Sequence, residues 1–408
     1  MKIKKTIDEL KPGMFVLELD RPWLDTPFPL QGFLVQSPED IETLREYCEY
    51  VFIDPLREQI GANTARLRAG PLASLATGKD ARVPLGVQSY PIERSVEEEL
   101  PSAKVAYDSA IETLTQIRNS IERGRALDAE AVSRLVEGLV GTIVSNPDAL
   151  MLILRMRKEA QPAYVQAMSV AAHMLAFGRH LGLPIPELAL LGMAGLLLDV
   201  GKLRLPRELV DKKQLLSRAE YALMKRHVQY GEDILRQTKG TPERVVEIVA
   251  QHHERENGSG YPRGLRGTEL TVYGRMAGIV DCYRELTFGG PAGTAVSPYE
   301  AMEVIHGWGG KFLHPVLVEQ FTQCIGIYPV GSLVELNTGE VAIVVAHNRA
   351  YRLRPRLMII LDPHKREYPA PKSVDLMHAP IADAGVPYEI KRALEPGMFG
   401  IEPRDYYL

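Results

Sequence analysis

Hydrophobic positions recur along this chain with different rhythms, and each rhythm marks out a different kind of structure. In residues 1–58 the runs KPGMFVLEL and YVFID read as strands flanking a helix in SPEDIETLREYC, a small α+β module. From 59 to 101, glycine, proline and scattered charges keep no steady period, which predicts a linker. Helical spacing resumes in AYDSAIETLTQIRNSI and AEAVSRLVEGLVGTIV, so 102–325 is predicted as a helical region in which these two helices either pack on the core, the favoured reading, or mediate dimerisation. After Gly326 the period becomes two. There YPVGSLVELNTGEVAIVVAHN reads as a hairpin turning at Asn337, Thr338 and Gly339, and LRPRLMIILD adds a strand, giving a β-rich extension over 326–408. LKPGMF near the start is echoed by LEPGMF near the end, too short a match to establish a repeat. The expected fold is mainly α, with a mixed module before the helices and a sheet after them.

Several of the predicted helices end or begin at residues with chemistry to offer. IPELALLGMAGLLLDVGK is apolar nearly all round through Leu190, Leu191, Met193, Leu196, Leu197 and Leu198, which predicts a buried helix, and it runs into Asp199. A carboxylate there is costly to bury unless it is paired or metal-bound, and Lys202 is the nearest cation in sequence. In SRAEYALMKRHVQYGEDILRQ, Ser217 and Glu220 form a capping box, Tyr221, Met224, Val228 and Ile234 trace an inward face, and His227 lies beside that face. TPERVVEIVAQ has Thr241 as a cap, Pro242 at the first helical position and Val245, Val246, Ile248 and Val249 facing in. It delivers His252 and His253 to the helix end, followed by the compact turn Asn257, Gly258, Ser259, Gly260, Tyr261, Pro262. YGRMAGIVDCYREL carries an apolar run to Asp281. Each feature alone also reads blandly, as a solvated histidine pair, a solvated carboxylate or a hydrogen-bonded core histidine. Neutral imidazole is the commonest transition-metal ligand, and the features together point to a metal site.

Composition narrows the function classes. With 408 residues and a net charge of −4, the chain has length for two or three domains and no basic footprint for polymeric nucleic acid. The three cysteines, Cys48, Cys282 and Cys324, are widely spaced, which predicts a reducing compartment and no structural zinc. The amino terminus lacks an apolar signal region and no stretch approaches the length of a membrane span, so a cytoplasmic protein is expected.

Asp199, His227, HHERENGSGYP, RGLRG and GRMAGIVDCY, with Asp281, resemble the HD-GYP domains of bacterial metal-dependent cyclic di-GMP phosphodiesterases, over roughly residues 160–325. Residues 1–58 resemble the small domain of unknown function that often precedes such domains, and the β-rich end resembles the extension that often follows. The resemblance implies an HD-type helical bundle and metal ligands at Asp199, His227, His252, His253 and Asp281. It also implies a phosphate contact from Lys202. The departures are specific. Leu198 stands where the histidine of the family's naming His-Asp dipeptide would be, Gln166 at an upstream histidine, and Pro162 at an acidic ligand of some members. His173 lies seven residues from Gln166, about 10 Å along a helix, and does not replace it; His180 is likewise out of register. Downstream, Gly290 and Gly293 replace basic residues that meet the dinucleotide phosphates, Arg284 replaces a second aspartate and compensates only partly, and Asn257 replaces an aspartate. The expectation is one divalent ion, iron or manganese, or none, on Asp199, His227, His252 and His253, with weakened binding of cyclic di-GMP. The glycine-tyrosine-proline turn at Gly260, Tyr261 and Pro262 implies contacts with GGDEF-type diguanylate cyclases or other signalling proteins. Two functions follow: an inactive or weakly active binding protein, favoured, and an active phosphodiesterase with an altered metal site.

Overall fold

The computed structural model describes residues 3–20, 33–35, 38–53, 86–156, 162–212, 218–288, 296–348, 351, 353–383, 385–395, 397–401 and 406. The chain divides into two compact units, 1–72 with 348–353, and 73–347 with 354–408.

In the first unit, β1 (Ile3–Thr6), β2 (Phe15–Leu19), β3 (Phe33–Leu34) and β4 (Tyr50–Ile53) form an antiparallel sheet in the order β1-β4-β2-β3, joined by α1 (Pro38–Tyr47). Val16, Leu19, Val51 and Ile53 of the sheet meet Leu44 of α1 in its core. β2, α1 and β4 are the elements the pattern predicts. β1 has no counterpart there, because three of its four residues are exposed and no alternation shows.

The second unit begins with helices α2 (Val96–Glu122), α3 (Ala129–Ser145), α4 (Pro147–Met156), α5 (Pro162–His180), α6 (Ile185–Leu197) and α7 (Arg207–Val210). They are followed by α8 (Arg218–Lys225), α9 (His227–Gln237), α10 (Glu243–Gln251), α11 (Val272–Phe288), α12 (Pro298–Trp308) and α13 (Pro315–Ile325). An antiparallel sheet closes the unit: β5 (Leu333–Leu336), β6 (Val341–Ala346), β7 (Arg356–Leu361), β8 (Glu367–Asp375) and β9 (Ile390–Leu394), in the order β8-β7-β6-β5-β9. The fold is the mainly helical bundle with flanking mixed and β parts that the sequence predicts. Among the described residues, no single helix is long and apolar enough to cross a membrane.

α6 is apolar on every side because helices surround it. A Cβ on Gly195 would stand 2.6 Å from the Ala171 Cα, so only glycine lets α5 and α6 approach this closely. The β5–β6 hairpin turns where predicted, with Gly339 at φ 96°. β8 is mostly exposed, β9 buries only Leu394, and neither shows period-two alternation, which is why the pattern does not reveal them. The sheet is continuous with the bundle: Leu333, Val341 and Ile343 share one apolar cluster with Leu150 and Ile153 of α4. Asp148 of α4 accepts the His347 backbone N–H at 2.7 Å.

Three local expectations change. The linker expected over 59–101 is docked structure from Gly86 onward and helical from Val96. Gly86 and Gln88 donate backbone N–H groups to Leu181 and Gly182, and buried Arg179 donates to the carbonyls of Tyr90, Pro91 and Val144. Backbone hydrogen bonds leave no side-chain rhythm, and the Ser95–Glu98 capping box that starts α2 lies in a charged stretch. Second, the long helix expected around His227 is two helices that meet at Arg226, so Tyr221 is 48% exposed while Val228 and Ile234 are buried. Ser217 lies outside the described residues, and Glu220 pairs with Lys212 at 2.6 Å. Third, Pro242 has extended backbone (ψ 136°) and precedes α10 instead of opening it.

Candidate metal centre

α6 ends at Leu197, and the chain turns at Asp199 into a 3-10 segment, Val200–Arg204. That segment lies hard against the start of α9. A Cβ on Gly201 would stand 1.9 Å from the His227 carbonyl oxygen and 2.4 Å from the Gly231 nitrogen, so glycine alone lets Asp199 come up to His227. α10 brings His252 and His253 to the same place from the other side. Ligand atoms of Asp199, His227, His252 and His253 lie within 4.8 Å of one another.

The imidazoles are oriented by the backbone. His227 Nδ1 lies 2.8 Å from the Met224 carbonyl and His252 Nδ1 lies 2.6 Å from the Val249 carbonyl. A carbonyl only accepts, so each Nδ1 carries the proton and each Nε2 presents a lone pair. The two Nε2 atoms face each other at 3.3 Å, and His227 Nε2 is 3.4 Å from Asp199 Oδ1. Burial keeps these rings neutral. His227 is pushed down to about 4, chiefly by desolvation against the opposing pull of Asp199; His252 and His253 are lowered by the same cause. Asp199 stays ionised: desolvation works to raise it, but Lys202 and Arg284 beside it hold it well below the usual carboxylate range.

Asp199 Oδ1 and Asp281 Oδ2 are buried and accept no hydrogen bond. Converging lone pairs beside orphaned carboxylate oxygens are unfavourable without a cation among them, and three imidazoles with a carboxylate suit a first-row divalent ion. The residues present therefore fit a metal.

Other sequence candidates fall as follows. Asp281, on α11, is fully buried; its Oδ1 is bound by Arg284 and its Oδ2 faces His253 Nδ1 at 3.5 Å. Lys202 Nζ lies 2.8 Å from Asp199 Oδ2, paired with the ligand and not projecting into space. Arg284 is 5% exposed and turned onto Asp281, so its charge is held inside the fold. Leu198 is buried in the apolar core. Gln166 is half-buried on α5, and Pro162 is the first residue of that helix. Gly290 and Gly293 lie outside the described residues. His173 is a core histidine, packed on Tyr283 and Phe321 with Nδ1 2.6 Å from the Ser169 carbonyl. His180 Nε2 lies 3.2 Å from Gln320 Oε1.

The turn after the histidines braces the site. Tyr261 stacks on His253 with ring centroids 4.6 Å apart, and a Cβ on Gly260 would sit 2.4 Å from the Glu254 Cα. Glu254, which the sequence reading passes over, is 4% exposed and accepts the backbone N–H groups of Arg263 and Leu265 at 2.7 and 2.9 Å. Its only signal was a glutamate directly after two candidate ligands. Asn257 closes a smaller turn through Ser259, at 3.1 Å to N and 2.7 Å to Oγ.

The chain is similar to known proteins over most of its length. Residues 148–313 match the family model "HD domain", residues 2–132 match a domain of unknown function, and residues 333–390 match "KOW domain associated with HD domain". A cyclic di-GMP phosphodiesterase of Pseudomonas aeruginosa is 31% identical over 391 residues, 94% of this chain and 91% of that protein. A 3'3'-cGAMP-specific phosphodiesterase of Vibrio cholerae is 34% identical over 168 residues, 40% of this chain and 31% of that protein. Among solved structures, an HDG"Y"P protein of Bdellovibrio bacteriovorus covers 79% of this chain and 98% of its own at 17% identity, with a TM-score of 0.46. The 31% identity to the Pseudomonas aeruginosa protein over 94% of this chain and 91% of that one, together with the three consecutive domain matches, makes this chain a member of the HD-GYP family of cyclic di-GMP phosphodiesterases.

Proposed function

We propose that this chain acts in cyclic di-GMP signalling as a degenerate HD-GYP protein that holds one divalent ion, iron or manganese, and binds the dinucleotide with little or no turnover. One observation carries the reading: Asp199, His227, His252 and His253 converge within 4.8 Å, while the neighbouring motif position is Leu198, an alkane buried in the core. When bound, the ion supplies Lewis acidity toward a phosphoryl oxygen. The chain's own residues orient the donors: Met224 and Val249 carbonyls fix the His227 and His252 tautomers, and Tyr261 covers one face of His253. Lys202 is paired with Asp199 at 2.8 Å, so to meet a phosphate it must give up that partner.

The second reading is an active phosphodiesterase with an altered metal site, favoured by the 31% identity to a phosphodiesterase across nearly the whole chain. The deciding experiment measures metal content of the purified protein together with binding and hydrolysis of cyclic di-GMP and of 3'3'-cGAMP, with iron or manganese added. The expected result is about one ion per chain, measurable binding and no appreciable hydrolysis, unchanged in Leu198→His. Robust hydrolysis by the unmodified protein, abolished by His252→Ala, selects the second reading.

The resemblance also supports contacts with GGDEF-type diguanylate cyclases at the turn holding Gly260, Tyr261 and Pro262. A partner there would meet Asn257, Ser259 and Arg263, which are exposed, before the half-buried Tyr261 ring. Tyr261→Ala, assayed for both thermal stability and pull-down of diguanylate cyclases, separates the roles: lost binding with unchanged stability supports contact, and lost stability with unchanged binding assigns the ring to bracing.

A further inference from the structure

We infer that the guanidinium of Arg284 stands where a second metal ion would sit, making the centre one ion plus one built-in arginine. This rests on the one-ion reading and supplies its physical cause. Arg284 follows Asp281 by one turn of α11 and is 5% exposed. A buried guanidinium is stable only among anions, and this one has them: it binds Asp281 Oδ1 and lies 3.6 Å from Asp199 Oδ2.

The division of carboxylate oxygens is what excludes a second ion. Two ions about 3.5 to 4 Å apart need anionic donors for each and donors to share. Asp199 Oδ2 carries Lys202 at 2.8 Å as well as Arg284, and Asp281 Oδ1 carries Arg284. The oxygens left without a hydrogen bond, Asp199 Oδ1 and Asp281 Oδ2, face His227 and His253 at 3.4 and 3.5 Å. One half of the centre therefore presents empty donors, and the other presents donors already holding a side-chain cation. Unlike a metal ion, that cation stays in place during chelation, and it is charged at every accessible pH.

The test is manganese loading of the full-length protein, Arg284→Lys, Arg284→Ala and Arg284→Asp, read by ions per chain after desalting and by electron paramagnetic resonance, with thermal melts to confirm folding. The unmodified protein and Arg284→Lys are expected to hold one ion with the six-line spectrum of isolated manganese. Arg284→Asp is expected to approach two ions with a spectrum broadened by exchange coupling, and Arg284→Ala to gain a second, weaker ion at millimolar manganese. Arg284→Ala decides the matter if the aspartate variant does not fold. Two coupled ions in the unmodified protein would overturn the role of Arg284 and leave the ligand set standing. One ion in the folded alanine and aspartate variants would also overturn it. No bound ion in any variant removes the metal site itself, and this inference with it.

Discussion

Gly201 is the residue on which the centre's geometry turns, since its missing Cβ lets the segment after Asp199 lie on the first turn of α9. Gly201→Ala forces a displacement of backbone against backbone, so Asp199 and His227 should separate. Metal occupancy is expected to fall at least tenfold with a lower melting temperature, and normal occupancy in the folded variant would refute the coupling. His173 offers a test of burial instead of ligation. Desolvation pushes it down to about 4 from an ordinary 6.5, against a hydrogen bond to the Ser169 carbonyl. The unfolded chain takes up this proton near 6.5 and the folded chain only near 4, so stability is full above pH 6.5 and lost as pH falls through that window, by roughly 3 kcal/mol for this group. Urea unfolding at pH 7.5 and pH 4.5 should show a smaller loss in His173→Gln than in the unmodified protein; equal losses would exclude His173 as a contributor. At this scale the sequence shows Asp199, His227, His252 and His253, because residue type and helix ends mark them. It hides the direction of Arg284, because whether an arginine faces solvent or a carboxylate depends on helices far apart in sequence.

Among the elements, α6 and α10 are legible from hydrophobic spacing alone, while the break at Arg226 and strands β8 and β9 are not. A broken helix keeps the composition of a continuous one, and edge strands that bury few residues need no apolar alternation. The loop after His253 was legible as a rigid turn but not in its means of support, which is a single buried carboxylate, Glu254, gripping two backbone N–H groups. Hydrogen bonds to a charged group are worth about 1.5 to 3 kcal/mol each, and their loss here strands two donors. Glu254→Ala is therefore expected to cost about 3 to 6 kcal/mol and to loosen the stacking of Tyr261 on His253. Denaturant midpoints and Tyr261 ring shifts in NMR spectra would check it, and a variant as stable as the parent would show that the turn holds itself.

At the scale of the second unit, bundle and sheet share one apolar core through Leu150, Ile153, Leu333 and Ile343. A chain ending at Ile325 should leave α4 uncovered and melt without a sharp transition; a cooperative melt near that of the full chain would show that the bundle stands alone. The order of helices before strands is plain in the sequence, whereas the shared core is not, since periodicity within a segment says nothing about which segment covers it. Leu198, buried in that core, also bears on how a second ion site could be built. A histidine placed there would put a polar ring into apolar packing while Arg284 still holds Asp281, losing stability before any ion could offset it. Removing Arg284 first would strand a fully buried carboxylate. On the one-ion reading each single change is expected to cost stability, so building a second ion site into this chain would take both changes together.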